Sequence, residues 1–191
     1  MTLLFIADSA QRFNVPLDEL HAQHPGKRLV VGVAITAPMV AITQDFSDPN
    51  KSQAKKLLLL QRAETENVYP LMYELPGGGA EPQDTSLLAT VVRETAEETG
   101  LSVTRILGIF PGFEYETSKS KAIQFKFLVE VDRAPDTTIN VHLNPQEHCT
   151  FAWVDEADDL SLYPMTEAMH QVVLDALSSM AEQTASVHYS D

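Results

Sequence analysis

One stretch constrains this chain more than any other. A glycine-rich turn, Glu74-Leu75-Pro76-Gly77-Gly78-Gly79, is followed at short range by Arg93-Glu94-Thr95-Ala96-Glu97-Glu98-Thr99-Gly100-Leu101. Consecutive glycines after a proline mark a turn that side chains would obstruct. The later segment suits a helix that stops at Gly100, since glycine is the usual residue just past a helix C-terminus. At about 100° per residue, Glu94, Glu97 and Glu98 stand at i, i+3 and i+4 and project from one face. Like charges at that spacing repel by about 0.2–0.5 kcal/mol per pair. A hard divalent cation turns that repulsion into attraction. One glutamate on a helix is ordinarily surface decoration, but three beside a glycine turn read as a metal site.

Composition limits what such a site can serve. At 191 residues with 44% hydrophobic residues, the chain fits one domain with a sizeable core. The formal net charge is -14, from 27 acidic against 13 basic residues. That balance argues against a long-nucleic-acid binder, which needs clustered Lys and Arg to displace counterions. It remains compatible with a phosphorylated small molecule if metal neutralises the site. Cys149 is the single cysteine, so no intrachain disulfide can form, which points to a reduced, cytoplasmic setting. The apolar start Met1 to Ala7 lacks a basic flank and is too short for a secretory signal, so it is expected to form a strand or an anchored terminus. Nothing approaches the roughly 20 apolar residues that span a bilayer.

Along the chain, Pro16 to His21 predicts a short peripheral helix ended before Pro25-Gly26. Arg28 to Thr36 is β-branched and apolar and predicts a buried strand, broken at Pro38 and extended or restarted over Met39 to Ile42. The segment Asp45 to Gln53 reads as an exposed loop, and a second strand over Lys56 to Leu60 delivers Gln61 and Arg62 to its end. A polar connection, Ala63 to Pro70, leads back to order at Met72 to Leu75. The helix after the turn has Asp84 or Ser86 as N-cap and Leu87, Leu88, Val91 and Val92 as its apolar face. Ser102 to Glu114 predicts one or two strands around Gly108 and Pro111-Gly112; Ala122 to Val131 alternates as a strand, with a hairpin between. Asp132 to Asn140 is a loop, His142 to Pro145 ends a short extended piece and Cys149 to Val154 is a strand, with Cys149 as a packing residue. Asp155 is expected to cap a short helix, Met165 to Met180 has helical spacing, and the end of the chain is polar. The expected division is an N-terminal extension over 1–27, a domain over 28–181 and a tail over 182–191.

The segment Gly78 to Leu101 resembles the signature of the Nudix hydrolases: a glycine, a loop, an acid, then Arg-Glu-x-x-Glu-Glu-x-Gly and an apolar residue. The half from Arg93 to Leu101 fits, with Thr95 where an aliphatic residue is usual. The first half departs. Counting back from Arg93 reaches Gly79 and puts Thr85 at the acid, whereas counting forward from Gly78 reaches Asp84 with one extra residue in the turn. Asp84 is the better choice because Thr85 carries no charge.

The resemblance implies an α/β fold, a Nudix-type α/β/α sandwich with a mixed β-sheet, and Mg²⁺- or Mn²⁺-dependent hydrolysis of a small-molecule diphosphate. It implies metal ligands at Glu94, Glu97, Glu98 and the Gly78 (or Gly79) carbonyl, with Glu94 also orienting or deprotonating water. Arg93 would pair with Glu97 or Asp84, and Glu81 would add an outer contact. Glu147, in the late Gln146-Glu147-His148 loop, is a further ligand or base, while His148 reads as a hydrogen-bonding or exposed residue. Lys119 and Lys121 could meet phosphates, and Tyr69, Tyr73, Phe113 and Tyr115 could stack on a base. Other readings are a non-catalytic Nudix-fold module that binds a nucleotide or protein, and an isoprenoid diphosphate hydrolase. The family admits a homodimer, about which the sequence is silent.

Overall fold

A computed structural model describes residues 4–38, 55–117, 120–132 and 138–187. Among these residues seven strands form one mixed sheet: β1 (Phe5–Ile6), β2 (Lys27–Pro38), β3 (Lys55–Arg62), β4 (Tyr73–Glu74), β5 (Val103–Glu116), β6 (Lys121–Val131) and β7 (His148–Val154). Their order is β1-β5-β6-β2-β3-β4, and β7 pairs with the other edge of β3. The β1/β5 and β2/β6 pairs are parallel and the rest antiparallel.

Alternation along these strands sends side chains to two cores. Leu29, Val31, Val33 and Ile35 of β2 face one core, with Leu87, Leu88 and Val91 of helix α3 (Leu87–Thr99). Ala10 of α1 (Asp8–Gln11) and Leu20 of α2 (Leu17–Gln23) complete it, with Phe13 between them. Ala34, Leu57, Leu59 and Leu128 face the opposite core, filled by Val172, Val173, Ala176 and Leu177 of α4 (Glu167–Val187). Each such side chain removed from water is worth about 1.5–3 kcal/mol. Helices therefore cover both faces of a mixed sheet, the expected α/β/α sandwich. No helix among the described residues is long and apolar enough to cross a membrane.

The glycine turn is laid onto the sheet. β2 pairs with β3 only through Thr36 to Pro38, which leaves the earlier part of that β2 edge open. The turn fills it: Val33 N–H donates to Pro76 O (2.7 Å), Val31 N–H to Gly78 O (2.8 Å) and Ala80 N–H to Leu29 O (2.9 Å). Gly77 has φ +151°, and a Cβ there would overlap the Val31 carbonyl; a Cβ on Gly78 would overlap the Glu94 carboxylate. Only glycine lets the backbone pass between β2 and the acids of α3.

Several expectations are corrected. Of the one or two strands expected over Ser102–Glu114 there is one, β5, and register irregularities, one between Phe110 and Phe113, absorb Pro111 and Gly112. No helix starts at Asp155, which opens a turn; Asp159 caps a 3₁₀ turn at Leu160–Leu162 through its side chain. The β2 strand runs on to Pro38, and α4 continues to Val187, past the polar residues from Glu182. The short extended piece that His142 to Pro145 ends joins no strand of the sheet; N–H groups of His142 and Asn144 serve the end of α3. Cys149 is exposed rather than packed. Met39 to Ile42, the Asp45–Gln53 loop and Lys119 lie outside the described residues.

One buried cation stands out. Lys126 of β6 is 3% exposed, opposite Gly32, with Nζ 4.7 Å from the Phe113 ring centre and 5.8 Å from that of Phe110. Burial lowers its pKa from 10.5 to about 8. That difference corresponds to at most about 3 kcal/mol of folding cost, and loss of the ring contacts offsets part of it. Lys126→Met is therefore expected to stabilise the fold by about 1–2 kcal/mol at pH 7. The cost is full below pH 8 and fades as pH rises to 10.5, because only the unfolded chain still binds the proton in that window. Thermal melts of both proteins across that range check it: a constant difference would refute the assignment.

Candidate metal centre and active site

The site begins at the start of α3. Ser86 caps it by accepting from Ala89 N–H at 3.2 Å, and Gly100 ends it in the left-handed conformation. Asp84, just before the cap, is buried and accepts from Glu81 N–H and the Thr90 hydroxyl, both at 2.9 Å. Arg93 grips the same carboxylate with Nε to Oδ1 and Nη2 to Oδ2, each 3.0 Å. Burial alone would raise the Asp84 pKa, but the bonds from Arg93, Glu81 and Thr90 outweigh it and hold the carboxyl below its ordinary value. Thr85 is exposed, so Asp84 is the acid that meets Arg93.

Arg93 distributes its remaining donors among the neighbouring groups. Nη2 donates to Gly79 O at 2.9 Å, and Nη1 lies 2.9 Å from Glu97 Oε2 and 3.0 Å from Glu94 Oε1. Both partners expected for Arg93 are thus engaged together. The guanidinium pKa is raised, chiefly by the Asp84 bond. Glu97 points outward, its side chain 57% exposed, with Oε2 on Arg93.

Inward lie Glu94 and Glu98, both buried. Glu98 Oε2 accepts from Gly77 N–H at 2.9 Å. Burial drives the Glu98 pKa well up despite that bond, with Glu94, Glu74 and Glu147 adding repulsion. Burial also raises Glu94, against the opposing pull of Arg93. Gly78 O is taken by Val31 and Gly79 O by Arg93, whereas Gly77 O has no hydrogen-bond partner among the described residues.

The late loop joins this cluster because it caps α3 from outside. His142 N–H donates to Thr99 O (2.8 Å) and Asn144 N–H to Glu98 O (3.3 Å), satisfying carbonyls the helix end would leave open. Asn144 O then accepts from His148 N–H at 2.9 Å, and Ala63 N–H holds Glu147 O at 2.7 Å. Ligand-capable atoms of Glu98, Glu147 and His148 consequently fall within 4.8 Å of one another. His148 is not an exposed loop residue: it is 3% exposed, with Nε2 3.2 Å from Glu74 Oε1. Arg62 Nη1 holds the same Glu74 oxygen at 2.7 Å. Glu74 and Arg62 were not singled out by sequence reasoning, although Glu74 opens the glycine motif.

Beside the cluster is a cavity of about 460 Å³, whose lining includes Arg62, Tyr69, Tyr73, Glu74, Phe113 and Tyr115. All the aromatic residues named as base-stacking candidates therefore border one space. Lys121 is exposed and paired with Glu116 at 3.8 Å. Glu81 takes part in the Asp84 turn through its N–H, and its carboxylate meets the exposed Gln83.

No curated protein is matched by the sequence. Solved structures are similar throughout the fold. The MutT protein from Methanosarcina mazei Go1 is 23% identical, with a TM-score of 0.54 over 83% of this chain and 95% of that one. The NUDIX domain of Shewanella oneidensis NrtR, complexed with ADP ribose, is 19% identical with a TM-score of 0.57, over 81% of this chain and 88% of that one. A bifunctional NMN adenylyltransferase/ADP ribose pyrophosphatase from Francisella tularensis is 18% identical with a TM-score of 0.55, and the match covers 85% of this chain and 44% of that one. At these identities the likeness shows the fold. The family itself is shown by a family model, the NUDIX domain, which matches residues 46–176, more than two thirds of the sequence. With the arginine hub and inward carboxylates in place, the chain belongs to the Nudix family.

Proposed function

We propose that this protein hydrolyses the diphosphate bond of a nucleoside diphosphate linked to another moiety, with Mg²⁺ or Mn²⁺ as cofactor. The observation that carries this reading is the continuity of carboxylate cluster and cavity: Glu74 lines the aromatic cavity and also bonds His148 of the cluster. A diphosphate at the cluster would then place its attached base among the rings. A volume of about 460 Å³ suits a small organic ligand. Arg62, Glu74, Gln124 and Thr166 in its wall offer polar partners that favour a nucleoside over an isoprenoid chain.

The residues present fit a divalent cation. Glu94, Glu98 and Glu147 would hold it, with the Gly77 carbonyl, rather than that of Gly78, as the backbone donor. Glu97 would contribute from the rim through Oε1, the oxygen not held by Arg93. When bound, such an ion polarises phosphate oxygens and lowers the pKa of a bound water. Water oxygen then bonds to one phosphorus, the bridging P–O bond breaks, a carboxylate takes the proton, and two phosphomonoesters leave. Arg93 positions Glu94 and Gly79 without meeting the reacting atoms. Glu98, kept in place by Gly77 N–H, and Glu147, exposed at the mouth, bracket the reacting diphosphate.

The test is a panel of ADP-ribose, nucleotide sugars, dinucleoside polyphosphates, oxidised nucleotides and isoprenoid diphosphates, each with Mg²⁺ and Mn²⁺. Phosphomonoester products are expected from a nucleoside diphosphate derivative. Phe113→Ala should raise KM roughly tenfold with a smaller change in kcat, since base stacking contributes about 1–3 kcal/mol. Failure to cleave any nucleoside diphosphate derivative would refute the proposal.

A further inference from the structure

Among the described residues, the polar side-chain atom that is buried without a hydrogen-bond partner is His148 Nδ1. Such an atom costs about 1–3 kcal/mol unless something meets it. The other ring nitrogen explains which form it takes. Nε2 lies 3.2 Å from Glu74 Oε1, and a carboxylate can only accept, so Nε2 carries hydrogen, and in the neutral imidazole Nδ1 then holds the lone pair. Glu74 is itself fixed by Arg62 at 2.7 Å, so the ring orientation is set from behind. An N–H donated to a carboxylate fixes the ring and leaves the opposite nitrogen free for a metal, the arrangement that orients a metal-binding imidazole. Glu98 and Glu147 supply the acids, with ligand-capable atoms within 4.8 Å of one another and of the imidazole.

We propose that His148 is a nitrogen ligand in the metal centre, coordinating through Nδ1 beside Glu98 and Glu147 and biasing the site toward Mn²⁺ over Mg²⁺. The inference rests on the metal-site reading above and adds to it a donor the acidic motif does not contain. Mg²⁺ takes oxygen donors and gains little from an imidazole, whereas affinity at nitrogen-containing sites rises toward the transition metals. The loop geometry supports the assignment independently of charge. The bond from His148 N–H to Asn144 O, together with that from Asn144 N–H to Glu98 O, ties the histidine backbone to the helix that carries the acids.

The experiment is pulsed electron paramagnetic resonance of the full chain loaded with Mn²⁺, where a directly bonded imidazole imprints ¹⁴N modulation on the echo. Wild type is expected to show it, and labelling histidine with ¹⁵N should replace the pattern, a reading that needs no variant. His148→Gln should lose the modulation and weaken Mn²⁺ binding roughly tenfold or more, while Mg²⁺ affinity, measured by competition, changes less than about threefold. Glu74→Gln, whose amide oxygen still accepts from Nε2–H, should keep the modulation. Mn²⁺ binding without ¹⁴N modulation, or equal weakening of both metals in His148→Gln, would overturn the histidine ligand and leave the hydrolase proposal standing. No Mn²⁺ binding by wild type would overturn both.

Discussion

Glu98→Gln is expected to lower turnover roughly 10³-fold or more while leaving the metal-free protein more stable than wild type at neutral pH. The two effects share one cause. Glu98 is a carboxylate at 6% exposure, and burial, with repulsion from Glu94, Glu74 and Glu147, pushes its pKa well up. In the unfolded chain it titrates near its ordinary value of 4.5. Below that pH both states bind the proton and the group costs nothing. As pH rises from 4.5 to the folded pKa, the unfolded chain ionises first and wild type loses stability; above the folded pKa the cost is constant. Glutamine has no such cost, and its amide oxygen can still accept from Gly77 N–H. Catalysis runs the other way, because loss of a charged ligand removes several kcal/mol of transition-state stabilisation, and each 1.36 kcal/mol is tenfold in rate. Mg²⁺ should raise the melting temperature of wild type by mass action and leave the variant unmoved. Melts at several pH values with and without metal, alongside phosphate-release assays, check both. A variant that turned over normally, or melted lower than wild type without metal, would contradict this account.

The difference between motif and site explains what was legible in the sequence. Helical spacing places Glu94, Glu97 and Glu98 on one side of α3 whatever the rest of the chain does, and Gly100 ends the helix where expected. Spacing does not say which carboxylate faces inward. That depends on Arg93, whose Nη1 draws Glu97 Oε2 outward while Gly77 N–H draws Glu98 Oε2 in. The one-residue irregularity ahead of Arg93 resolves in favour of Asp84, because the turn closed by Glu81 N–H on the Asp84 carboxylate takes up the extra residue. The burial of His148 was out of reach for a different reason. Its partner, Glu74, is 74 residues earlier, and its burial follows from a loop that caps α3 with N–H groups from an irregular segment. Periodicity registers neither. The choice between one strand and two for β5 stayed open because Pro111 and Gly112 signal a break locally, while pairing with β6 continues across it.

Arg93→Ala is expected to be the most damaging single substitution for the fold, costing about 3–5 kcal/mol, the range found when one partner of a buried ion pair is removed. The side chain reaches Asp84 with two nitrogens and also Gly79 O, Glu97 and Glu94. Without it, Asp84, whose side chain is 4% exposed, keeps its burial but loses its cation. The pH dependence follows. In wild type, Asp84 titrates below its ordinary 3.8, so its stabilising contribution is present above that pH and is lost as pH falls through the folded value. In the variant, burial is opposed only by the Glu81 and Thr90 bonds, so the ionised form is penalised and protonation relieves it. The stability gap between the two proteins should therefore be widest near neutrality and narrow as pH falls toward and below 3.8. Arg93→Lys should recover little, since a point charge cannot bond both Asp84 oxygens and still reach Gly79 and Glu97. Adding Asp84→Asn to Arg93→Ala should recover more, because it removes the stranded charge. Denaturant titrations of the single and double variants measure that coupling. If Asp84→Asn gave no recovery in the Arg93→Ala background, the hub would owe its stability to packing around the guanidinium, and the charge of Asp84 would not be the reason Arg93 is needed there.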